Sequence, residues 1–598
     1  MPELEIPPQA HGAPPDSPQY SPSPSSSLLF PRQDSSQSLS EMGDPYSVTK
    51  ERYSYAPQTP SQLSQVSQKF YLSPDPQTWG NSSLYKDAPE ADDDMHDPDA
   101  HTDKRTALST RAFMNIGCLA VLVTALLTLF AGYPLIDYFR RETQSTKGGF
   151  NLGGINATGQ VPEMGSLSLI DPDTPRSAYT KKSLEDGTEM ELVFSDEFNT
   201  DGRTFWPGDD PFWEAADIHY WGTNNLEWYS PEAITTEGGN LIITLSETPS
   251  HGLDYTGGML SSWNKLCVQG GYIEASIVLP GENDIAGLWP AFWTLGNLGR
   301  AGYGATLEGM WPYSYDACDV GTLPNQTLNG LPLAATVGGG EWVDGALSYL
   351  QGQRLSRCTC EGEQHPGPMH RDGSYVGRAV PEIDIIEAQV GGGEGHVSIT
   401  YQIAPFNADY TWNNLSENYD IWMDASEAHL NEYQGNEFQQ SVSVLAVTNQ
   451  DCYEREGACH SEYSVEYKPG FDEGYIHWVM DGRQAWSLRG AGLGADSGTE
   501  ISARSVPNEP MYVIMNLGMS HNFGAIDFEN LVFPYHMYVD YVRIYQRPGE
   551  KSVGCDPDDM PTAAYIAAFH EAYENANLTT WVDDYKQVVP KNSLVDTC

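Results

Sequence analysis

Three carboxyl side chains fall within six residues, in Pro381-Glu382-Ile383-Asp384-Ile385-Ile386-Glu387-Ala388. On an extended strand, side chains two apart share a face, so Glu382 and Asp384 point one way while Ile383 and Ile385 point into a core. Glu387 has the opposite parity, and a one-residue β-bulge near Ile385–Ile386 returns it to the carboxyl face. Such pairs do glycoside chemistry of the retaining kind when they lie about 5–5.5 Å apart: one carboxylate attacks the anomeric carbon, and the other serves first as acid and then as base. Crowding also drives their pKa values apart, so that one member keeps a proton near neutral pH. With 82 Asp and Glu in the chain, E-x-D-x-x-E alone also fits a solvated acidic strand.

The elements that must position these groups are strands. Short apolar runs alternate with Gly, Pro, Asn and Asp punctuation up to about Gln546, as in Leu241-Ile242-Ile243-Thr244-Leu245, Gly271-Tyr272-Ile273-Glu274-Ala275-Ser276-Ile277 and Val539-Asp540-Tyr541-Val542-Arg543-Ile544-Tyr545. Period-two alternation with frequent turn signals predicts an antiparallel sandwich or barrel. Trp289 and Trp293 are four apart, which puts them on one strand face, as a sugar-binding cleft lined with indoles requires. Asn224, Asn225 and Glu227 suit either hydrogen bonds to sugar hydroxyls or a turn. Trp478 and Trp486 read as core, and His396 and His477 as structural. A short helix is expected over Thr562–Glu574. There is no internal repeat.

The rest of the chain bounds the setting. It has 598 residues, a net charge of −51 and 15 Trp. A surface this acidic repels nucleic acid and anionic lipid, and is compatible with neutral polysaccharide. Residues 1–111 are Pro/Ser-rich and then Asp-rich, and predict a disordered tail that cannot bury enough apolar surface to offset chain entropy. Residues 112–136 carry no charge; spanning ~30 Å of hydrocarbon takes about 20 residues, so this run predicts an uncleaved transmembrane signal anchor. Residues 137–190 read as a stalk, 191–547 as the sandwich and 548–598 as a C-terminal extension.

Flanking charges do not orient the span, since Lys104, Arg105 and Arg111 precede it and Arg140, Arg141 and Lys147 follow. Sequons and cysteines do. Acceptor sequons at Asn156, Asn325, Asn414 and Asn577 follow the span, and one at Asn81 precedes it. Eight of the nine Cys lie beyond it, and Cys118 lies within it. An even number suggests disulfides. Cys452–Cys459 is the easiest short loop, and Cys555–Cys598 would tie the extension together. No CxxC pair exists and the His are scattered, so neither a metal site nor a cofactor is expected. The orientation that follows is type II: a cytosolic tail and a lumenal or extracellular C-terminal part, in the endoplasmic reticulum, the Golgi or the plasma membrane.

Around the carboxyl trio stand Leu192-Val193-Phe194-Ser195-Asp196-Glu197-Phe198-Asn199, Gly287-Leu288-Trp289-Pro290-Ala291-Phe292-Trp293-Thr294-Leu295-Gly296, Tyr475-Ile476-His477-Trp478-Val479-Met480-Asp481-Gly482 and Tyr512-Val513-Ile514-Met515-Asn516-Leu517. In this order the set, from about Glu191 to Arg547, resembles glycoside hydrolase family 16. That resemblance implies an all-β, concanavalin-like jelly roll, Glu382 as nucleophile, Asp384 as its helper, Glu387 as acid/base, and Trp289 and Trp293 as cleft platforms. The signal anchor, the long insert and the ending from Cys555-Asp-Pro-Asp-Asp-Met-Pro-Thr through Asn577-Leu-Thr-Thr-Trp581 to Cys598 further resemble the fungal membrane proteins associated with β-1,6-glucan synthesis. This implies a role in cell-wall glucan assembly, with β-glucan chains, the membrane and other wall-synthesis proteins as partners.

The chain also departs from laminarin-cleaving relatives. Gly271-Tyr272-Ile273-Glu274-Ala275-Ser276 stands where many resemble Gly-Arg-Ile-Glu-Ala-Arg. Val397-Ser398-Ile399-Thr400-Tyr401-Gln402 stands where many have a His-containing strand, and the segment between Gly296 and Glu382 is expanded. These changes bear on subsites and on ordinary β-1,3-glucan hydrolysis, and leave the trio untouched. Three classes stay open: a glucan hydrolase or transglycosylase, a non-catalytic glucan-binding scaffold, and a secretory-pathway helper.

Overall fold

The apolar half of each period-two run buries, and this builds the strands. In Gly271–Val278, Ile273, Ala275 and Ile277 are wholly buried in the main core. In Glu382–Gly391 the isoleucines Ile383, Ile385 and Ile386 go to the same core. The computed structural model describes residues 110–132 and 169–598. Residues 1–109 of the expected tail, the end of the expected span, most of the stalk and the Asn156 sequon lie outside the described residues.

Thirteen longer strands carry the fold: β1 Glu189–Asp196, β2 Asn240–Leu245, β3 Tyr255–Ser261, β4 Gly271–Val278, β5 Trp289–Gly296, β6 Glu382–Gly391, β7 Glu394–Ile403, β8 Gln439–Val447, β9 Ser461–Lys468, β10 Tyr475–Met480, β11 Arg483–Arg489, β12 Met511–Gly518 and β13 Tyr535–Gln546. One sheet runs β1-β13-β4-β9-β10-β11, with β2 also paired to β13; the other runs β8-β7-β6-β5-β12-β3. Every pairing named here is antiparallel. The facing surfaces enclose one core, in which Trp478 and Trp486 stack at 4.5 Å. The architecture is an all-β antiparallel sandwich.

The folded body begins earlier than the expected stalk boundary. Leu169 packs on the main core, and Lys181 on the short strand Thr180–Lys182 pairs with Glu274 on β4 and Glu462 on β9. Beyond β13, the expected helix is two short ones, Ala563–Ala568 and His570–Glu574, separated by Phe569.

The second sheet has a second apolar layer on its other face. Trp293, Leu295, Tyr512 and Ile514 pack there against Met310, Trp311 and Leu355 from the insert and Tyr565, Tyr573 and Trp581 from the extension. Disulfides clamp this layer. Cys318–Cys358 closes the insert on itself, Cys267–Cys555 and Cys360–Cys598 fasten the extension to the sandwich and to the insert, and Cys452–Cys459 closes a short loop. The expected Cys555–Cys598 pair does not form, because the two ends of the extension dock on different elements. Gly554 donates its N–H to the Cys267 carbonyl at 2.8 Å, whereas Cys360 donates to the Lys591 carbonyl at 2.9 Å and Ser593 to that of Cys358 at 2.9 Å.

Among the described residues no helix is long and apolar enough to cross a membrane. Described by itself, the helix Thr110–Leu127 continues as a π-turn over Thr128–Gly132 and leaves Ile116, Leu119, Leu122, Leu126 and Phe130 exposed. Its Thr124 and Thr128 hydroxyls are satisfied internally, on the carbonyls of Ala120 and Thr124.

Candidate active site

The bulge is where the spacing of the carboxyls requires it. Asp384 pairs with Thr400 and Glu387 with Ser398, so three steps along β6 match two along β7. On the other side Asp384 pairs with Trp293 and Ile386 with Phe292, which makes Ile385 the extra residue. Parity is thereby reset, and Glu382, Asp384 and Glu387 all line one pocket. Trp478, from the opposite sheet, donates its indole N–H to the Asp384 carbonyl at 2.9 Å and secures the backbone beside the bulge.

Each carboxyl has its own donor. Trp311 of the insert donates Nε1–H to Glu382 Oε2 at 2.5 Å. Gln402 on β7 donates Nε2–H to Asp384 Oδ2 at 3.1 Å. Trp289 Nε1 and Ser398 Oγ lie 3.3 and 3.4 Å from the two oxygens of Glu387. The three carboxyls are only 4%, 1% and 2% exposed. Burial, and then the nearness of the Glu387 carboxyl, push Glu382 up to about 8 and Asp384 well above the usual carboxylate range. Asp384 is the natural carrier of a proton, in a hydrogen bond with Glu382 that favours the Glu382 carboxylate, as does the Trp311 donor.

The pocket measures about 410 Å³, including the space open at its mouth, and is lined further by Tyr220, Asn225, Tyr229, Trp289, Trp293 and Asn516. None of its lining residues is basic. Three carboxyls with no basic counter-charge disfavour a phosphate or a carboxylate, and suit a neutral ligand.

Trp289 and Trp293 share the pocket face, as their spacing predicts, but neither is an open platform. Both are buried, and Phe523 lies flat on Trp289 with ring centres 4.2 Å apart. Trp293 donates to Asn516 Oδ1 at 2.8 Å, Asn516 reaches the Tyr229 hydroxyl at 3.2 Å, and Asn225 reaches the same hydroxyl at 3.1 Å. Asn225 therefore borders the pocket, while Asn224 adopts a left-handed turn conformation. Glu227 does not border it. It is fully buried behind Asn225, accepting from Asn225 Nδ2 at 2.7 Å and from the Met519 backbone N–H at 2.9 Å, and burial raises its pKa to about 7. Its place is to brace Asn225 and the chain leading to Phe523.

The remaining expectations concern residues away from the pocket. His477 is buried between Ser487 and Glu185, in a structural position. Asn414 and Asn577 are exposed and Asn325 is half-buried. Sequence reasoning passed over Trp311, Gln402, Asn516, Tyr220 and Phe523. Gln402 and Asn516 are within reach of such reasoning, because each sits at cleft-facing parity, Gln402 on β7 beside the trio and Asn516 on β12 beside Trp289 and Trp293. No local signal marks Trp311 or Phe523.

A protein-family model described as "Beta-glucan synthesis-associated protein SKN1/KRE6/Sbg1" matches residues 82–598. The chain is 40% identical over 538 residues to the beta-glucan synthesis-associated protein KRE6 of Saccharomyces cerevisiae, covering 86% of this chain and 70% of that protein. It is 39% identical over 542 residues to SKN1 of the same yeast, covering 86% and 66%. The chain thus spans about two thirds of the length of these relatives. Among solved structures, the catalytic domain of an endo-1,3-beta-glucanase (laminarinase) from Thermotoga petrophila RKU-1 is similar at 21% identity, covering 60% of this chain and 99% of that one, with a TM-score of 0.33.

Proposed function

Because the chain belongs to the SKN1/KRE6/Sbg1 family of beta-glucan synthesis-associated proteins, we propose that its sandwich is a retaining glycosidase or transglycosylase acting on β-glucan, β-1,6-glucan included, in cell-wall assembly. The carrying observation is the carboxyl trio, gathered by the bulge into one pocket that has no basic lining residue. In the first step the Glu382 carboxylate forms a bond to the anomeric carbon, the glycosidic C–O bond breaks, and the leaving oxygen takes a proton from Glu387. In the second, Glu387 removes the proton from water or a sugar hydroxyl as that oxygen displaces Glu382. Asp384, protonated, holds Glu382 by hydrogen bonding.

The test is Glu382→Gln and Glu387→Gln on purified protein with β-1,3- and β-1,6-gluco-oligosaccharides. Both variants lose turnover and keep glucan binding, and azide partly rescues Glu387→Gln on an activated substrate. A non-catalytic scaffold is the second reading, favoured by the near-complete burial of the trio. It predicts normal wall glucan in cells carrying either variant, with the protein folded and correctly located, and that result would sink the enzymatic reading.

For location we propose a single-pass type II membrane protein of the secretory pathway, anchored through residues 112–136. The supporting observations are the exposed apolar side chains of the helix Thr110–Leu127, the four disulfides, and the sequon asymmetry.

A further inference from the structure

The insert between β5 and β6 carries an aromatic group that the carboxyl chemistry does not use. Trp342, in the short 3-10 turn Glu341–Val343, is 60% exposed, yet it is firmly held. Its indole N–H is spent on Glu437, a side chain only 9% exposed. One side of the ring rests on Phe438, with centres 5.7 Å apart at 22°, and Tyr349 meets it edge-on at 5.1 Å. Tyr349 in turn packs edge-on against Phe438 at 5.9 Å, and its backbone N–H is bonded to the Glu437 carbonyl at 2.6 Å. Glu437, Phe438 and Tyr349 thus support the ring from three directions. These supports fix the orientation of the ring and leave a flat, apolar area facing water.

Its place relative to the trio is set by strand register. Glu382 pairs with Gln402, and Gln402 with Ser441. Gln439, two residues before Ser441, has the same parity, and Phe438 directly precedes it. Two interstrand steps and two residues along β8 put Gln439 about 12 Å from Glu382 on the carboxyl face. Phe438 belongs to the same buried layer as Trp293 and Trp311, so the Trp342 cluster is continuous with the packing around the pocket. Along this path Gln402 Oε1, Gln439 Oε1 and Ser441 Oγ are buried polar atoms that lack a hydrogen-bond partner within the protein.

The electrostatics narrow the ligand. No Lys, Arg or His occurs between Gly321 and Gln353; the charged neighbours of Trp342 are Glu341 and Asp344 in sequence and Glu437 in space. An anionic partner is repelled there, and a nucleotide or acidic polymer is excluded on the same ground. A pyranose ring is neutral and presents slightly positive C–H groups on its faces, which the negative face of an indole attracts, while its hydroxyls remain hydrated or meet amide and hydroxyl side chains. We propose that Trp342 is a distal sugar-stacking platform, taking one ring of a β-glucan chain that runs across β7 and β8 from the carboxyl trio. This rests on the reading of the trio as glucan-active. It adds that the insert selects long chains over short ones.

The experiment uses the full chain in the Glu382→Gln background, so that nothing turns over, and measures calorimetric binding of short and long linear β-gluco-oligosaccharides. Trp342→Ala lowers affinity for the long chain about tenfold more than for the short one, and Trp342→Phe, which keeps a flat ring, recovers most of the loss. Unchanged length dependence in Trp342→Ala overturns the platform and leaves the trio reading standing. If the Glu382→Gln protein binds neither length, the glucan reading fails and the platform with it. If Trp342→Ala instead changes only self-association in sedimentation, the patch is a contact between copies and the platform is wrong.

Discussion

Trp311→Phe isolates one hydrogen bond. The indole of Trp311 is buried in the layer over the second sheet and places Nε1 2.5 Å from Glu382 Oε2. Phenylalanine keeps most of that packing and removes the donor. A hydrogen bond to a charged group contributes about 1.5–3 kcal/mol, and a pKa unit corresponds to about 1.4 kcal/mol. The lost donor favoured the carboxylate, so its removal raises the Glu382 pKa by about one to two units. A nucleophile must be ionised, so the acid limb of the kcat/KM profile moves to higher pH by that amount, while the alkaline limb stays put. The assay is a pH series of initial rates on a soluble β-glucan oligosaccharide, with a melting curve at each pH to exclude unfolding. An active variant whose acid limb coincides with that of the parent would refute the assignment of Glu382 as the titrating nucleophile held by Trp311.

Further outcomes follow from other parts of the structure. Glu382 sits above its ordinary value of 4.5, near 8, so its contribution to stability is full below about 4.5 and is lost as pH rises through about 8. Glu382→Gln should therefore flatten the fall in Tm between pH 5 and 9; a slope unchanged from the parent counts against a buried, proton-holding trio. Cys360→Ser opens a closed loop whose ends are 238 residues apart, and the chain-entropy model gives a loss of about 5 kcal/mol before any strain is deducted. Non-reducing peptide mapping that links Cys555 to Cys598 would contradict this clamp. In sealed microsomes, protease should remove residues 1–111 and spare the glycosylated sandwich, and the reverse pattern inverts the proposed topology.

Much of this site is legible in sequence because its parts are local. The trio lies on one strand, and parity alone demands the bulge that the register places at Ile385. Trp289 and Trp293 are legible for the same reason, as are Trp478 and Trp486 in the core. What escapes is what arrives from a distance. Trp311 meets Glu382 across 71 residues, and Phe523 reaches Trp289 from the far side of β12. No periodicity reports such contacts. Disulfide partners are lost in the same way. Cys452 and Cys459 are seven apart and find each other, whereas proximity in sequence pairs Cys555 with Cys598 although the extension carries them to different partners, Cys267 and Cys360. Glu227 misled for a different reason: its neighbour Asn225 lines the pocket, and strand parity does not tell a lining residue from one that braces it.

The clamp between Cys360 and Cys598 has a consequence for biosynthesis. Cys358 and Cys360 are separated by a single residue, and only the first belongs with Cys318. When a nascent chain has reached the last strand of the sandwich, all three thiols are present and the partner of Cys360 has not yet been made. In an oxidising compartment the Cys360 thiolate can then attack Cys318 Sγ and release the Cys358 thiolate, leaving a Cys318–Cys360 isomer. Arrival of Cys598 draws Cys360 out of that competition. A chain shortened before this residue retains every proposed catalytic carboxyl but leaves Cys360 without the partner that ends the exchange.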